Sequence, residues 1–323
     1  MSTAKKAVIG IDLGGTFTKI GIVDRDGNVL ALERFPSHAD EPFETFLEEL
    51  QQVYDQIVLN LPDNTQIIAC GIGAPSTNCF TGEMENPSNF SWGEVVPLAK
   101  GVNGICNVPV HVNNDANVAA LGEMKFGGGK GMQHLAVITL GTGLGGGFII
   151  NGRLHIGHNG MAGEIGHTNA VRGGRQCRCG LKGCIEQYVS VTGIRRTVED
   201  LLMEKGRESL LQGQSFEEIT GKEISEAALE DDAVALEAFE ITGRMLGEKL
   251  ADVIAYFNPE AIFLTGGLAK ARHFILEPTR RHMLKNIFHI YKGRAKVMIS
   301  ELVNKEGAVL GAAALAWQRL EVK

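Results

Sequence analysis

AVIGIDLGGTFTKIGIV at 7–23 and HLAVITLGTGLGGGFII at 134–150 decide how this chain is read. Each is a short apolar run, a glycine-bearing turn and a second apolar run, the pattern of a β-hairpin. In each case another turn and a return strand follow. Asp24-Arg25-Asp26-Gly27-Asn28 leads into 29–35, and Asn151-Gly152, a strong hairpin signal, leads into 153–156. The order strand, glycine turn, strand, turn, strand therefore occurs twice, at 7–35 and 134–156. One α/β unit, duplicated, is the expected architecture.

Outward from these hairpins, 41–59 has helical spacing, with Phe43, Phe46, Leu47, Leu50, Val53 and Ile57 on one face. A strand at 66–72 ends at Gly73-Ala74-Pro75, and one at 108–112 runs into Asn113-Asn114-Asp115, followed by a helix at 116–126. After the second hairpin come a helical region at 190–211 and a long helix at 232–257, stopped by Asn258-Pro259. A strand at 261–264 ends in Thr265-Gly266-Gly267, and a helix is expected from Leu268. The closing helix, 306–320, is rich in alanine and glycine and fit for close packing. The expected division is a small α/β domain of 1–115 plus 307–323 and a large one of 116–306.

The 323 residues suffice for two domains of ordinary size. A net charge of −7 excludes a general nucleic-acid surface, which needs a basic face. No apolar run approaches the length of a membrane span. The opening MSTAKKAVIGID is interrupted by Asp12 and does not read as a signal peptide, which points to a reducing cytoplasm. The 41 glycines gather at a few turns, 14–15, 127–131, 141–147, 173–174 and 266–267, as expected where backbone approaches a ligand closely.

Three of those turns carry phosphate chemistry. In Asp12-Leu13-Gly14-Gly15-Thr16 the glycines expose backbone N–H groups, Thr16 adds a hydroxyl, and Asp12 can hold Mg²⁺ directly or through water. The turn containing Thr142 and Gly143 is its equivalent in the second half, and the pair are expected to grip one nucleotide's phosphates from both sides of a cleft. Gly266 and Gly267, between a strand and a helix, suit an adenosine or a phosphate. Asp115, at a strand's carboxyl end, is read either as a helix N-cap or as a base for a substrate hydroxyl, with Asn113 or Asn114 as the alternative cap. Asn89 sits among turn formers, and its amide suits a sugar hydroxyl.

GEIGHTNAVRGGRQCRCGLKGCIE at 163–186 holds His167, Cys177, Cys179 and Cys184. Three thiolates and one imidazole complete a tetrahedral Zn²⁺ and leave no position for a catalytic water, so a structural site is expected. Glu164 and Glu186 bracket it as acceptors for a polyhydroxylated ligand. Cys70, Cys79 and Cys106 are scattered and read as packing residues.

Together these residues resemble the ROK family of the actin-like ATPase superfamily. The resemblance spans nearly the whole chain and rests on IDLGGT at 11–16, GIGAP at 71–75, NDAN at 114–117, GTGLGGG at 141–147, AGEIGH at 162–167, CRCGLKGCIE at 177–186 and TGGLA at 265–269. It implies a duplicated ribonuclease H-like fold, two α/β domains around an interdomain cleft, with ATP and a hexose bound between them. It implies that Asp115 is the catalytic base for the sugar 6-hydroxyl and that Asn89, Asn114, Glu164, His167 and Glu186 hold the sugar. His167 would ligate zinc through one ring nitrogen and face the sugar with the other. Two departures from the family's pattern stand out. Ser76 follows Pro75 where the family has glycine, and Phe90 follows Asn89 where leucine is more usual.

The function expected from this resemblance is phosphorylation of a hexose by ATP and Mg²⁺, with glucose the favoured substrate. N-acetylmannosamine or N-acetylglucosamine kinase is the runner-up. A sugar-responsive repressor is disfavoured because six residues precede the first strand, too few for a DNA-binding module. A sugar-binding regulator without turnover is opposed by Asp115 and the two phosphate loops. A homodimer is the family expectation.

Overall fold

The computed structural model describes residues 4–204, 206–216 and 218–321; the extreme ends of the expected division, 1–3 and 322–323, lie outside them. The chain forms two compact units. One takes in the chain up to Gly131, Ile156–Ala162 and the chain from Lys305; the other takes in Met132–His155 and Gly163–Asn304.

The first unit opens with β1 (Lys5–Leu13), β2 (Phe17–Asp24) and β3 (Val29–Pro36), then α1 (Phe43–Leu59) and β4 (Thr65–Gly73). A small sheet of β5 (Thr77–Asn78), β6 (Glu83–Glu85) and β7 (Val95–Val96) follows, then α2 (Leu98–Cys106), β8 (Val110–Asn113) and α3 (Asp115–Phe126). The main sheet has the order β3-β2-β1-β4-β8. The first three strands are antiparallel, whereas β4 and β8 run parallel to β1.

In the second unit, β9 (Leu135–Leu140), β10 (Leu144–Ile150) and β11 (Arg153–Leu154) are followed by α4 (Val191–Leu202), α5 (Gly221–Leu229) and α6 (Ala233–Phe257). β12 (Ala261–Thr265), α7 (His273–Asn286) and β13 (Lys296–Ile299) complete it. Its sheet has the order β11-β10-β9-β12-β13, with the same alternation of antiparallel and parallel neighbours. Strand for strand this is the order of the first sheet, so the duplication expected from the paired hairpins is present. Asn151 and Gly152 both take left-handed φ, 53° and 69°, as a tight hairpin turn of this kind requires.

The last helix, α8 (Gly307–Glu321), returns to the first sheet. It lies so close that a Cβ on Gly71 would come within 1.9 Å of the Ala312 carbonyl oxygen, and one on Gly10 within 2.3 Å of that of Val309. Helix α3 also meets α8 closely: a Cβ on Gly122 would come 2.8 Å from the Gly311 Cα. This contact corrects the expected boundary at 115. Residues 116–131 belong to the first unit because α3 packs on α8 through glycine.

Other expectations shift locally. The helix expected over 190–211 is α4 alone, capped by the Ser190 hydroxyl. Beyond it the chain turns at Gly206 and Gly213, both left-handed, and Asp232 accepts the Leu210 N–H at 2.7 Å. The helix expected from Leu268 is a four-residue 3₁₀ turn, Leu268–Ala271, broken by Arg272 at φ 51° before α7 begins. The return strand expected over 153–156 covers only Arg153–Leu154. Among the described residues, no helix is long and apolar enough to cross a membrane.

Because the Gly71 contact is with backbone, no side-chain movement can relieve it. Gly71→Ala is expected to destabilise the protein by about 3 kcal/mol or more, the range of severe overpacking. Urea unfolding checks this; a midpoint unchanged from wild type would contradict the close seat of α8.

Candidate active site

In the first unit the turn after β1 and the end of β8 lie together. Asp12 stands opposite Lys19 across the hairpin, and Lys19 Nζ pairs with Glu306 Oε2 at 2.5 Å. Burial, then the charge of Asp115, raise the Asp12 carboxyl to about 6 against the opposing charge of Lys19. The Asp115 field at Asp12 thus places both expected acidic residues in one locality. Asn89 is there too: a Cβ on Gly15 would lie 3.7 Å from the Asn89 Cβ. Lys19 and Glu306 were absent from the sequence reading. For Lys19 the one signal is the hairpin itself, which sets it against Asp12; Glu306 has none.

Asp115 is the first residue of α3, and the cap is Asn114, whose side chain accepts the Ala116 N–H at 2.9 Å. Asn113 accepts the Asn114 N–H and the Asn117 amide, each at 2.9 Å. The competition for Asp115 is therefore resolved in favour of Asn114 as cap, although Asp115 Oδ1 also takes the Ala116 N–H at 2.7 Å. Asp115 keeps exposed surface while much protein surrounds it. Desolvation raises its carboxyl above the usual range, the backbone N–H lowers it in part, and direct access to water limits the rise. Nearby Ser76 takes a left-handed φ of 53°, a conformation that favours glycine.

In the second unit, 163–186 lies against β10. A Cβ on Gly163 would come 2.3 Å from the Gly146 carbonyl oxygen, and one on Gly166 2.2 Å from that of Leu144. The sequence reading assigned these glycines no role. His167, Cys177, Cys179 and Cys184 converge, their ligand atoms all within 4.8 Å of one another. Cys177 Sγ is 3.7 Å from His167 Nδ1, and the Cys179 and Cys184 sulfurs are 3.6 Å apart. Tetrahedral zinc with Zn–S bonds of about 2.3 Å separates two sulfurs by about 3.8 Å, so the donor set fits. Cys184 is fully covered at its surface, though little protein lies beyond its own loop. Burial, then the neighbouring thiols, push it up to about 12. Zinc must displace that proton, so affinity falls as pH falls.

Several braces of this segment had no sequence signal. The Arg175 guanidinium donates to the Gln187 and Gly193 carbonyls and to Asp200, and lies 4.7 Å from the Tyr188 ring centre. Gln187 Nε2 approaches Cys177 Sγ at 3.4 Å. Glu186 Oε2 accepts the Leu144 N–H at 3.1 Å, and Glu164 is exposed at the start of the 3₁₀ turn Ile165–His167.

The phosphate turns are mixed. Thr16, Gly15 and Thr142 are exposed, and Gly14 is partly so. Gly266 has φ 93° and its Cβ would meet the Leu140 carbonyl oxygen at 2.6 Å, so the fold itself demands that glycine. At Gly267 the nearest atom to a Cβ is a Val191 methyl at 3.8 Å, an ordinary contact.

Two outcomes follow. A folded-state carboxyl pKa above the unfolded value costs stability as pH rises from about 4, and the cost is complete above about 6. Asp12→Asn is therefore expected to raise Tm at pH 7 and leave it nearly unchanged at pH 4, in thermal melts without added metal. Chelation of the purified protein is expected to lower Tm by about 10 °C, several kcal/mol of structural zinc binding at about 2–4 °C per kcal/mol; an unchanged melt would contradict the zinc assignment.

A family model described as ROK family matches residues 8–319. A glucokinase of Streptomyces coelicolor is 37% identical over 314 residues, covering 95% of this chain and 96% of its own. The crystal structure of a ROK family glucokinase from Streptomyces griseus, in complex with glucose and AMPPNP, superposes with a TM-score of 0.82 at 34% identity, covering 97% of this chain and 99% of its own. A ROK family transcriptional regulator homologous to the E. coli MLC protein superposes with a TM-score of 0.86 at 26% identity, over 98% of this chain and 78% of its own. With its doubled sheet topology, its converging Cys/His set and a family match over nearly its full length, the chain belongs to the ROK family and has the actin-like ATPase fold.

Proposed function

We propose that this chain is an ATP-dependent hexose kinase that phosphorylates the 6-hydroxyl of its sugar, with glucose the favoured substrate. The observation that carries the reading is Asp115: a carboxylate at the end of a parallel strand, with Asn114 as the helix cap and a pKa raised by desolvation. Support comes from glucokinase relatives at 37% and 34% identity over nearly the full chain, above the 26% of the regulator.

Phosphoryl transfer depends on positioning and charge neutralisation more than on covalent chemistry. Asp12, Gly14, Gly15, Thr16, Thr142, Gly143, Gly266 and Gly267 hold the nucleotide in this reading. Asn89, Asn114, Glu164, His167 and Glu186 hold the sugar hydroxyls. Asp115 takes the proton of the 6-hydroxyl as that oxygen attacks the terminal phosphorus. Mg²⁺, when bound, neutralises charge on the phosphate oxygens, and Asp12 is the residue that would hold it. His167, Cys177, Cys179 and Cys184 would hold structural zinc, with His167 Nδ1 as donor and the other ring nitrogen left for the sugar. The protein is cytoplasmic in this reading and forms a homodimer, which sedimentation tests.

Discrimination among hexoses rests on buried polar partners, which can reject an analogue strongly. A specificity for N-acetylmannosamine or N-acetylglucosamine is the alternative. ADP release is measured with glucose, mannose, fructose, allose and the two N-acetyl sugars; the highest kcat/KM is expected for glucose. Asp115→Ala is expected to lower kcat by about 10²–10⁴-fold with the melt retained. Near-normal turnover in that variant would remove Asp115 from the role.

A further inference from the structure

Gly143 belongs to the turn read as a phosphate loop, where glycine is ordinarily explained by backbone conformation or by the approach of a phosphate. Its backbone does not take the left-handed conformation, so alanine would be conformationally acceptable. What a Cβ would meet is a side chain: Glu186 Oε2 at 2.4 Å and Glu186 Cδ at 3.2 Å. That same oxygen accepts the N–H of the next residue, Leu144, at 3.1 Å. The carboxylate is therefore seated in a notch whose floor is Gly143 and whose donor is Leu144.

Glu186 has little freedom elsewhere. It belongs to the 3₁₀ turn Ile185–Gln187, directly after Cys184. Its carbonyl accepts the Ser190 hydroxyl at 2.8 Å, and the Val191 N–H returns to the Gly141 carbonyl at 2.8 Å. The backbone on both sides of the contact is thus tied down, and a Cβ at Gly143 would act mainly on the carboxylate.

We infer that Gly143 and the Leu144 N–H are positioning elements for the sugar-binding carboxylate of Glu186, so that part of the loop read as nucleotide-binding sets hexose affinity. The inference deepens the proposed function and rests on Glu186 holding the sugar. A carboxylate that must meet a hydroxyl within hydrogen-bond distance loses most of that contact when displaced by about 1 Å. The fit of the loop is then a determinant of sugar KM separate from its role toward ATP.

The test is Gly143→Ala, alone and with Glu186→Asp, whose carboxylate is shorter by one methylene. Gly143→Ala is expected to raise hexose KM about 10-fold or more, a larger change than in ATP KM. In the double variant the two effects are expected to be strongly non-additive, with hexose KM at or below that of Gly143→Ala alone, because the shortened side chain clears the added methyl. A rise in ATP KM without a rise in hexose KM, or simple additivity, would overturn the inference. Hydrogen exchange at the Leu144 amide supplies a readout independent of turnover: Gly143→Ala should accelerate it by displacing its acceptor, and unchanged exchange would also overturn the inference. If the wild type phosphorylates no hexose, the proposed function fails by itself, whereas the exchange result still decides whether Gly143 seats Glu186.

Discussion

The sugar-facing half of the proposed site depends on holding down a loop that has almost no regular structure of its own. Residues 163–186 contain only two short 3₁₀ turns, Ile165–His167 and Ile185–Gln187. Loops of this length are uncommon in compact domains unless something fixes them. Two constraints do so. Glycine lets the start of the loop lie directly on β10, at Gly163 and Gly166, and His167, Cys177, Cys179 and Cys184 converge, so that the proposed zinc would tie its two ends together. Glu164, His167 and Glu186 all stand at those ends.

Close packing through glycine is also how the first unit is built. Helix α8 comes from the far end of the sequence and seats on β1 and β4 through Gly10 and Gly71, carrying Glu306 just ahead of it to pair with Lys19. Asp12 thus sits in a small charge network of Lys19, Glu306 and Asp115; burial first, then the Asp115 charge, raise its pKa, and Lys19 opposes them. A residue with that surplus of nearby negative charge and limited hydration is suited to a cation, in keeping with its proposed role toward Mg²⁺.

Much of this was legible in the sequence, for identifiable reasons. The paired hairpins announce themselves by glycine turns between apolar runs, and their recurrence gives the duplicated topology. The four zinc-ligand candidates are close in sequence, so their convergence needs little folding to bring about. What was missed depends on long-range contacts. The boundary after α3 is set by Gly122 meeting Gly311, residues far apart in the chain. Arg175 braces the loop through carbonyls that no motif marks. Strands β5 to β7 have two or three residues each, too few for periodicity to register. The clustered turn glycines read as a sign of ligand approach; at Gly266 and Gly143 the close neighbour is the protein itself.

In the proposed reading a closed metal centre would make an irregular loop rigid enough to present acceptors to a sugar. X-ray absorption at the zinc edge of the purified protein tests the centre most directly. Three sulfur neighbours at about 2.3 Å and one nitrogen at about 2.0–2.1 Å are predicted. An absence of zinc in fully folded protein, or a first shell dominated by oxygen, would contradict it.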